Sequence, residues 1–292
     1  MTAPVLVFGA GGQVGIETIR ACQVRGISVL PSTRAEIDLA NPNAANELIR
    51  SNDISGVIMA AAFTAVDAAE TESEVAHAIN ARAPKEIANA CARKGVPLVH
   101  FSTDYVFDGK ASSPYLESDQ VNPIGVYGKS KLEGERAVLG SEGPAAVVRL
   151  SWIFSAHNSN FLKTMLRVGP ARGAVRVVSD QLGCPTPAKS AAEVGLDILF
   201  ELMSEPNKSG LYHFCGDLPV SWAEFAEAIF QAKGIDIPVD HITTDEYPTP
   251  ARRPAYSVLS TKKIEQTFAI RAANWRLGIE DVIAELLRLE EE

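Results

Sequence analysis

The chain has 292 residues, 46% of them hydrophobic and 22% charged, with a net charge of -9. That composition supplies a full core, and the length suits one large domain with an appended lobe or two intimate ones. The acidic balance argues against nucleic acid or an anionic membrane as partner, and no stretch approaches the ~18 apolar residues of a membrane span, so a cytoplasmic protein is expected.

The first elements alternate in type. Val5–Gly9 (VLVFG) is a short apolar run ending in glycine and reads as a buried parallel strand. Helical spacing follows from about Gln13 to Arg25, then a strand over Ile27–Leu30, a helix over Asn43–Ser51 and a strand from Gly56 to Ala62. A long Ala-rich helix is expected from Glu72 to Lys94, interrupted near Pro84, before a strand over Val96–Thr103. A helix from about Pro123 to Leu139 and a strand over Ala145–Phe154 complete the regular part. This rhythm predicts an α/β protein with a Rossmann-type, doubly wound parallel sheet.

The pattern loosens beyond about residue 155. Helices are expected over Phe161–Val168, Ala188–Met203, Ser221–Lys233 and from about Ile279, with strands over Val175–Asp180 and Leu211–Gly216. The predicted division is 1–155 for a dinucleotide-binding domain and 156–292 for a smaller, substrate-binding α/β lobe. The strands near 174–180 and 210–216 are expected to rejoin the sheet. The cysteines Cys22, Cys91, Cys184 and Cys215 are scattered, without a CxxC pair or a His at ligand spacing, which favours buried thiols over a disulfide framework or zinc site.

Gly9, Gly12 and Gly15 form G-x-x-G-x-x-G between the first strand and the first helix. Such a turn lets backbone approach a pyrophosphate at a helix N-terminus, so dinucleotide binding is expected around Gly9, Gly12, Gln13, Val14 and Gly15. After the second strand, Ser32, Thr33 and Arg34 stand where an acid would greet a free ribose 2'-hydroxyl. Hydroxyls and a guanidinium suit a 2'-phosphate, so NADPH is expected, with NADH the alternative cofactor.

Tyr127 and Lys131 are four residues apart and share a helical face. A free tyrosine titrates near ~10, and a neighbouring ammonium with an oxidised nicotinamide favours its phenolate, so Tyr127 can deliver a proton to a ketone oxygen as hydride arrives. Ser102 and Thr103 end the fourth strand, where open parallel sheets bind ligands, and the Thr103 hydroxyl can bind the ketone or tyrosine oxygen.

Together these features resemble the extended short-chain dehydrogenase/reductases, and within them the dTDP-4-dehydrorhamnose reductase family. The likeness runs through GAGGQVG, AAAFTAVDAAE, HFSTDYVFDG, NPIGVYGKSKLEGE, VRLSWIF, NFLKTML, DQLGCPTP and YPTPARRPAYSVL, in order along nearly the whole chain. It implies reduction of the C4 ketone of dTDP-4-dehydro-6-deoxy-L-mannose to dTDP-L-rhamnose, with Thr103, Tyr127 and Lys131 as the catalytic triad and Lys131 on the nicotinamide ribose. It places Asp38 and Leu39 near the adenine and Ala60, Ala61 and Ala62 beside the cofactor. Thr64, Val66, Asp104, Tyr105 and Trp152 would line the sugar pocket, and Asn160, Phe161 and Arg253 would hold the nucleotide or its diphosphate.

Some relatives carry a Mg2+ site between two subunits, and Glu17 and Glu285 match its pattern. Lys189 stands where a third Glu would be, which argues against that metal and suggests a direct pairing of Lys189 with the carboxylates; no metal is expected, and a homodimer is compatible with the resemblance. Met59 stands where relatives often carry Asn. Two other readings are a reductase of a related nucleotide 4-keto-deoxysugar and a non-catalytic regulatory subunit of the methionine adenosyltransferase beta type. The TAVD segment, Thr103 and Ser151–Trp152 favour the enzyme. An epimerase or dehydratase is disfavoured because Asp104 is followed by Tyr105, with no Glu or Cys beside Thr103.

Overall fold

The computed structural model describes residues 3–291. In chain order the elements are β1 (Val5–Phe8), α1 (Gln13–Val24), β2 (Val29–Ser32), α2 (Pro42–Ser51), β3 (Gly56–Met59), α3 (Val66–Ala69), α4 (Ser73–His77), α5 (Ala83–Lys94), β4 (Leu98–Thr103), α6 (Val126–Leu139) and β5 (Ala145–Leu150). There follow β6 (Ile153–Phe154), α7 (Phe161–Arg172), β7 (Val175–Val178), β8 (Leu182–Gly183), β9 (Thr186–Pro187), α8 (Ala188–Ser204), β10 (Gly210–Phe214), β11 (Val220–Ser221), α9 (Trp222–Lys233), β12 (Val239–Ile242), α10 (Lys262–Phe268) and α11 (Trp275–Glu291).

Six parallel strands form the main sheet in the order β10-β5-β4-β3-β1-β2. β1, β3, β4 and β5 are buried along their whole length, as the unbroken apolar runs require. One face packs Val5, Val7, Ile58, Val99 and Phe101 against Cys22 of α1 and the apolar side of α8. The other packs Leu6, Phe8, Val57 and Leu98 against α2 and α5. The chain turns from one direction of winding to the other at β1, so a crevice opens beyond the carboxyl ends of β1 and β3.

Several boundaries move for local reasons. β2 starts at Val29 because the Ile27 N–H closes the end of α1 on the Cys22 carbonyl, 2.8 Å away; Pro31 is tolerated because β2 is an edge strand. The long helix divides at a π-helical turn, Ala78–Arg82, just ahead of Pro84, whose missing N–H cannot continue the α-helical ladder. α6 begins at Val126 rather than Pro123. Gly125 has no side chain to cap it, and the Glu70 carboxylate accepts from the Val126 N–H at 2.8 Å instead. β5 stops at Leu150, and Trp152 takes a left-handed backbone, φ +47°, before β6.

The strand at 210–214 extends the sheet beside β5, whereas the strand expected to rejoin it near 174–180 does not. β7 pairs in parallel with β12, Val175 opposite Val239, in a separate two-stranded sheet. The β5 edge is occupied by β10, and Pro31 lies on the other edge, so β7 finds its partner in the smaller lobe. There α7, α9 and α11 enclose a second core around Phe154, Leu162, Phe225 and fully buried Trp275. The Ser221 capping box starts α9, with Ser221 Oγ accepting from the Glu224 N–H. The chain enters this lobe after β5, returns to the main sheet for α8, β10 and α10, and closes the lobe with α11.

Gly128 allows α6 to lie against the loop that follows β4. A Cβ there would meet the Tyr105 carbonyl oxygen at 2.2 Å. Gly128→Val is expected to lower the unfolding free energy by about 1–3 kcal/mol in urea titrations, through displacement of helix or loop.

Candidate active site

The glycine loop is built by close approach. Gly9 has φ +81°, and a Cβ on it would lie 2.5 Å from the Ala61 nitrogen; a Cβ on Gly15 would lie 2.0 Å from the Gly9 oxygen. The Gly9 and Ala10 N–H groups donate to the Ser32 carbonyl, tying the loop to the end of β2. Ala60 and Ala61 therefore border the loop at the crevice, Ala62 follows them in the chain, and Val14 packs inward on the main core. This cradle fits the pyrophosphate of a dinucleotide: side-chain atoms are kept away and the N-terminus of α1 has no side-chain cap.

Arg34 is exposed beyond β2, with no ion pair among the described residues. The Thr33 N–H and hydroxyl both donate to Glu36, at 2.8 and 2.9 Å. Glu36 is thus an acid in this turn that the motif reading passed over, and it holds Thr33 in place. Asp38 accepts from the Ala40 N–H at 2.9 Å, and Leu39 is half-buried against the α2 side of the core.

Thr103, Tyr127 and Lys131 converge at the end of β4. Thr103 and Lys131 are 5% and 2% exposed. The Thr103 hydroxyl donates to Asp104 Oδ1 at 3.1 Å and accepts from the Tyr105 N–H at 3.2 Å. Lys131 Nζ donates to the Phe101 carbonyl at 2.6 Å. Burial pushes the Lys131 ammonium down to about 8, opposed by the Glu135 carboxylate. Contrary to the expected lowering, Tyr127 is pushed up to about 12, chiefly by burial, with Thr103 opposing and the Asp104 charge adding to the rise. The phenol therefore keeps its proton throughout the neutral range.

The residues expected around the sugar and the nucleotide divide into two groups. Tyr105 stands edge-on to Tyr127, with ring centroids 5.6 Å apart at 74°. Asp104 is buried behind it and accepts from Ser151 Oγ at 3.0 Å. Arg253 donates to Asp67 at 2.9 Å, which joins its loop to α3 beside Val66 and exposed Thr64. Its Nη1 is buried without a partner, an orphaned donor suited to an anion.

The second group is engaged elsewhere. Trp152 stacks face to face on Trp222, 3.5 Å apart at 5°, so one face of its indole is occupied. Phe161 packs on Phe225 and Trp222 in the core of the smaller lobe. Asn160 caps α7 by accepting from the Lys163 N–H, while its amide donates to Gln13 and the Ser155 carbonyl. Its hydrogen bonds brace the start of α1 through Gln13. All three side chains are half-buried, each with part of its surface engaged in these contacts.

A family model described as the RmlD substrate binding domain matches residues 2–288. A dTDP-4-dehydrorhamnose reductase of Sinorhizobium fredii is 39% identical over 96% of this chain and 97% of its own. Among solved structures, a dTDP-4-dehydrorhamnose reductase of Clostridium acetobutylicum superposes with a TM-score of 0.91 at 38% identity, covering 97% of this chain and 99% of that one. One from Bacillus anthracis, in complex with NADP, gives 0.91 at 31% identity, covering 98% and 100%.

The chain belongs to the dTDP-4-dehydrorhamnose reductase family.

Two further clusters lie beside the glycine loop and α1. The segment after β6 clasps the cofactor loop: Ser155 Oγ donates to Gln13 Oε1 at 2.8 Å, and the Asn158 amide to the Gly11 carbonyl at 2.8 Å. Glu17, His157 and Glu285 bring one ligand atom each within 4.8 Å of one another. Arg20 donates to both carboxylates, and His157 Nε2 lies 2.9 Å from Glu17. This guanidinium supplies positive charge among the acids. Lys189 does not pair with Glu17 or Glu285 as expected; it reaches Asp281 at 3.5 Å on the exposed surface. The carboxylates were legible as a pair, but Arg20 and His157 as their partners were not. Among the described residues no helix is long and apolar enough to cross a membrane.

Burial pushes Asp104 up to about 6, against hydrogen bonds from Ser257, Ser151 and Thr103. Folding therefore raises its proton affinity, and the folded protein holds a proton that the unfolded chain releases near ~4. The contribution to stability is complete below that pH and is lost as pH rises through about 6. Relative to Asp104→Asn, the wild type should lose about 2–3 kcal/mol of stability between roughly pH 4 and pH 7, measured by denaturant titration at each pH.

Proposed function

We propose that the protein reduces the C4 ketone of dTDP-4-dehydro-6-deoxy-L-mannose to dTDP-L-rhamnose, using NADPH in preference to NADH. The observation that carries this reading is the cluster of Thr103, Tyr127 and Lys131 at the end of β4, with Thr103 and Lys131 buried and Tyr127 half-buried, together with the glycine loop that ends β1.

A reduced nicotinamide, when bound, supplies the hydride. Gly9, Gly12 and Gly15 admit its pyrophosphate, and Arg34 takes the 2'-phosphate that distinguishes NADPH. The orphaned Nη1 of Arg253 holds a phosphate oxygen of the dTDP-sugar, while Asp67 fixes the opposite side of the guanidinium. The Thr103 hydroxyl orients the ketone oxygen. Tyr127 meets that oxygen with its proton in place and releases it as negative charge develops there. The Lys131 ammonium then stabilises the phenolate left behind, and its remaining N–H donors are available to the nicotinamide ribose. Tyr105 packs edge-on against Tyr127 and limits the freedom of its ring.

Product analysis after incubation with NADPH and the 4-keto sugar nucleotide tests the reading; the expected product is dTDP-L-rhamnose, and consumption of cofactor without a rhamnose product refutes it. Tyr127→Phe should lower kcat by about 10²–10⁴-fold with its circular dichroism unchanged. Arg34→Ala should lower the ratio of kcat/KM for NADPH over NADH by about tenfold or more, the worth of a charge-assisted phosphate contact; an unchanged ratio removes Arg34 from cofactor choice.

A further inference from the structure

Beneath the catalytic cluster lies a buried ion network that none of these steps uses. Glu135 follows Lys131 by four residues on α6, so both side chains leave the same face of the helix. They are 1% and 2% exposed. Arg149 of β5 grips the Glu135 carboxylate twice, Nε to Oε1 at 2.9 Å and Nη2 to Oε2 at 2.8 Å. Its Nη1 lies 3.2 Å from His213 Nε2 on β10. A guanidinium only donates, so Nε2 accepts and the imidazole proton sits on Nδ1, which donates to the Tyr115 carbonyl at 3.2 Å. His213 is therefore neutral, and burial with the Arg149 charge pushes it down to about 3. Arg149 also lies 4.9 Å over the Phe107 ring. The carboxylate is thus held in one position by two strands and the loop after β4.

The charged and titratable groups around Lys131 make Glu135 the decisive one. His100 on β4 is fully buried, and burial and the Lys131 charge hold its ring neutral. Tyr127 keeps its proton, and Asp104 with Tyr105 lies on the Tyr127 side. Arg149 is turned onto Glu135. His77 and Glu133 pair with each other on the more exposed side of the helix, Glu70 sits at its start, and Asn80 of the π turn is uncharged.

We propose that Glu135 is a positioning residue of the reductase reaction: clamped by Arg149, it supplies the fixed negative charge that keeps the Lys131 side chain an ammonium ion inside the closed site. The proposal rests on the reductase reading above. Burial opposes that charge strongly enough to bring Lys131 down to about 8 even with Glu135 in place. A neutral amine would no longer stabilise the phenolate that Tyr127 becomes after giving up its proton.

Carbon-13 labelling of lysine side chains, with the Lys131 signal assigned by its loss in Lys131→Met, reads the Lys131 midpoint by NMR without substrate. In Glu135→Gln the proton affinity of Lys131 should fall about tenfold or more, and the basic limb of kcat/KM should move down in pH with it. Because that variant leaves a buried guanidinium unpaired and can unfold, the double variant Glu135→Gln/Arg149→Leu removes both charges; the midpoint should again fall, by a smaller factor. His213→Asn keeps the Glu135–Arg149 pair while loosening its far end, and should reduce stability with the Lys131 midpoint unmoved. An unmoved midpoint in the double variant, or an equal shift in His213→Asn, overturns the proposal. Failure of the wild type to turn over the dTDP-sugar would instead refute the proposed function, and the NMR comparison would still decide the role of Glu135.

Discussion

Lys131 carries an ammonium group into the protein interior, where an isolated charge would cost on the order of several kcal/mol. Its surroundings offset part of that cost locally. The Phe101 carbonyl takes one of its hydrogens, and Glu135 supplies opposite charge from the next helical turn. These contacts require α6 to lie directly on β4 and β5, and the rest of the site follows from that placement. Gly128 clears the way for the loop after β4, and Glu70 satisfies the exposed start of the helix. Tyr127 is consequently delivered to Thr103 at the strand end.

The parts of this arrangement that were legible in the sequence are those written in local spacing. Glycines between a buried strand and a helix give the cofactor turn, and the four-residue interval of Tyr127 and Lys131 gives their common face. Thr103, at the end of an apolar run, gives the position of the hydroxyl. The alternation of strands and helices gave the parallel sheet, including the return of the strand at 210–214.

What remained hidden depends on residues far apart in the chain. Glu70 with Val126, Asp67 with Arg253, and Glu135 with Arg149 and His213 are joined only by folding, and no periodicity marks them. The resemblance supplied positions for Trp152, Asn160 and Phe161 but could not supply orientation, which is set by Trp222, Gln13 and Phe225. Likewise β7 has the composition of a sheet strand; its pairing with β12 depended on which edges were already occupied.

The chain passes between sheet and smaller lobe repeatedly, leaving after β5, returning with α8 and β10, and ending in the lobe with α11. Such multiple covalent crossings make a single-pivot, clamshell opening of the cleft mechanically unfavourable, because each connection would have to flex at once. Small sliding adjustments of packed helices suit this architecture better. The loop that carries Arg253, tied to α3 through Asp67, can shift without disturbing α6.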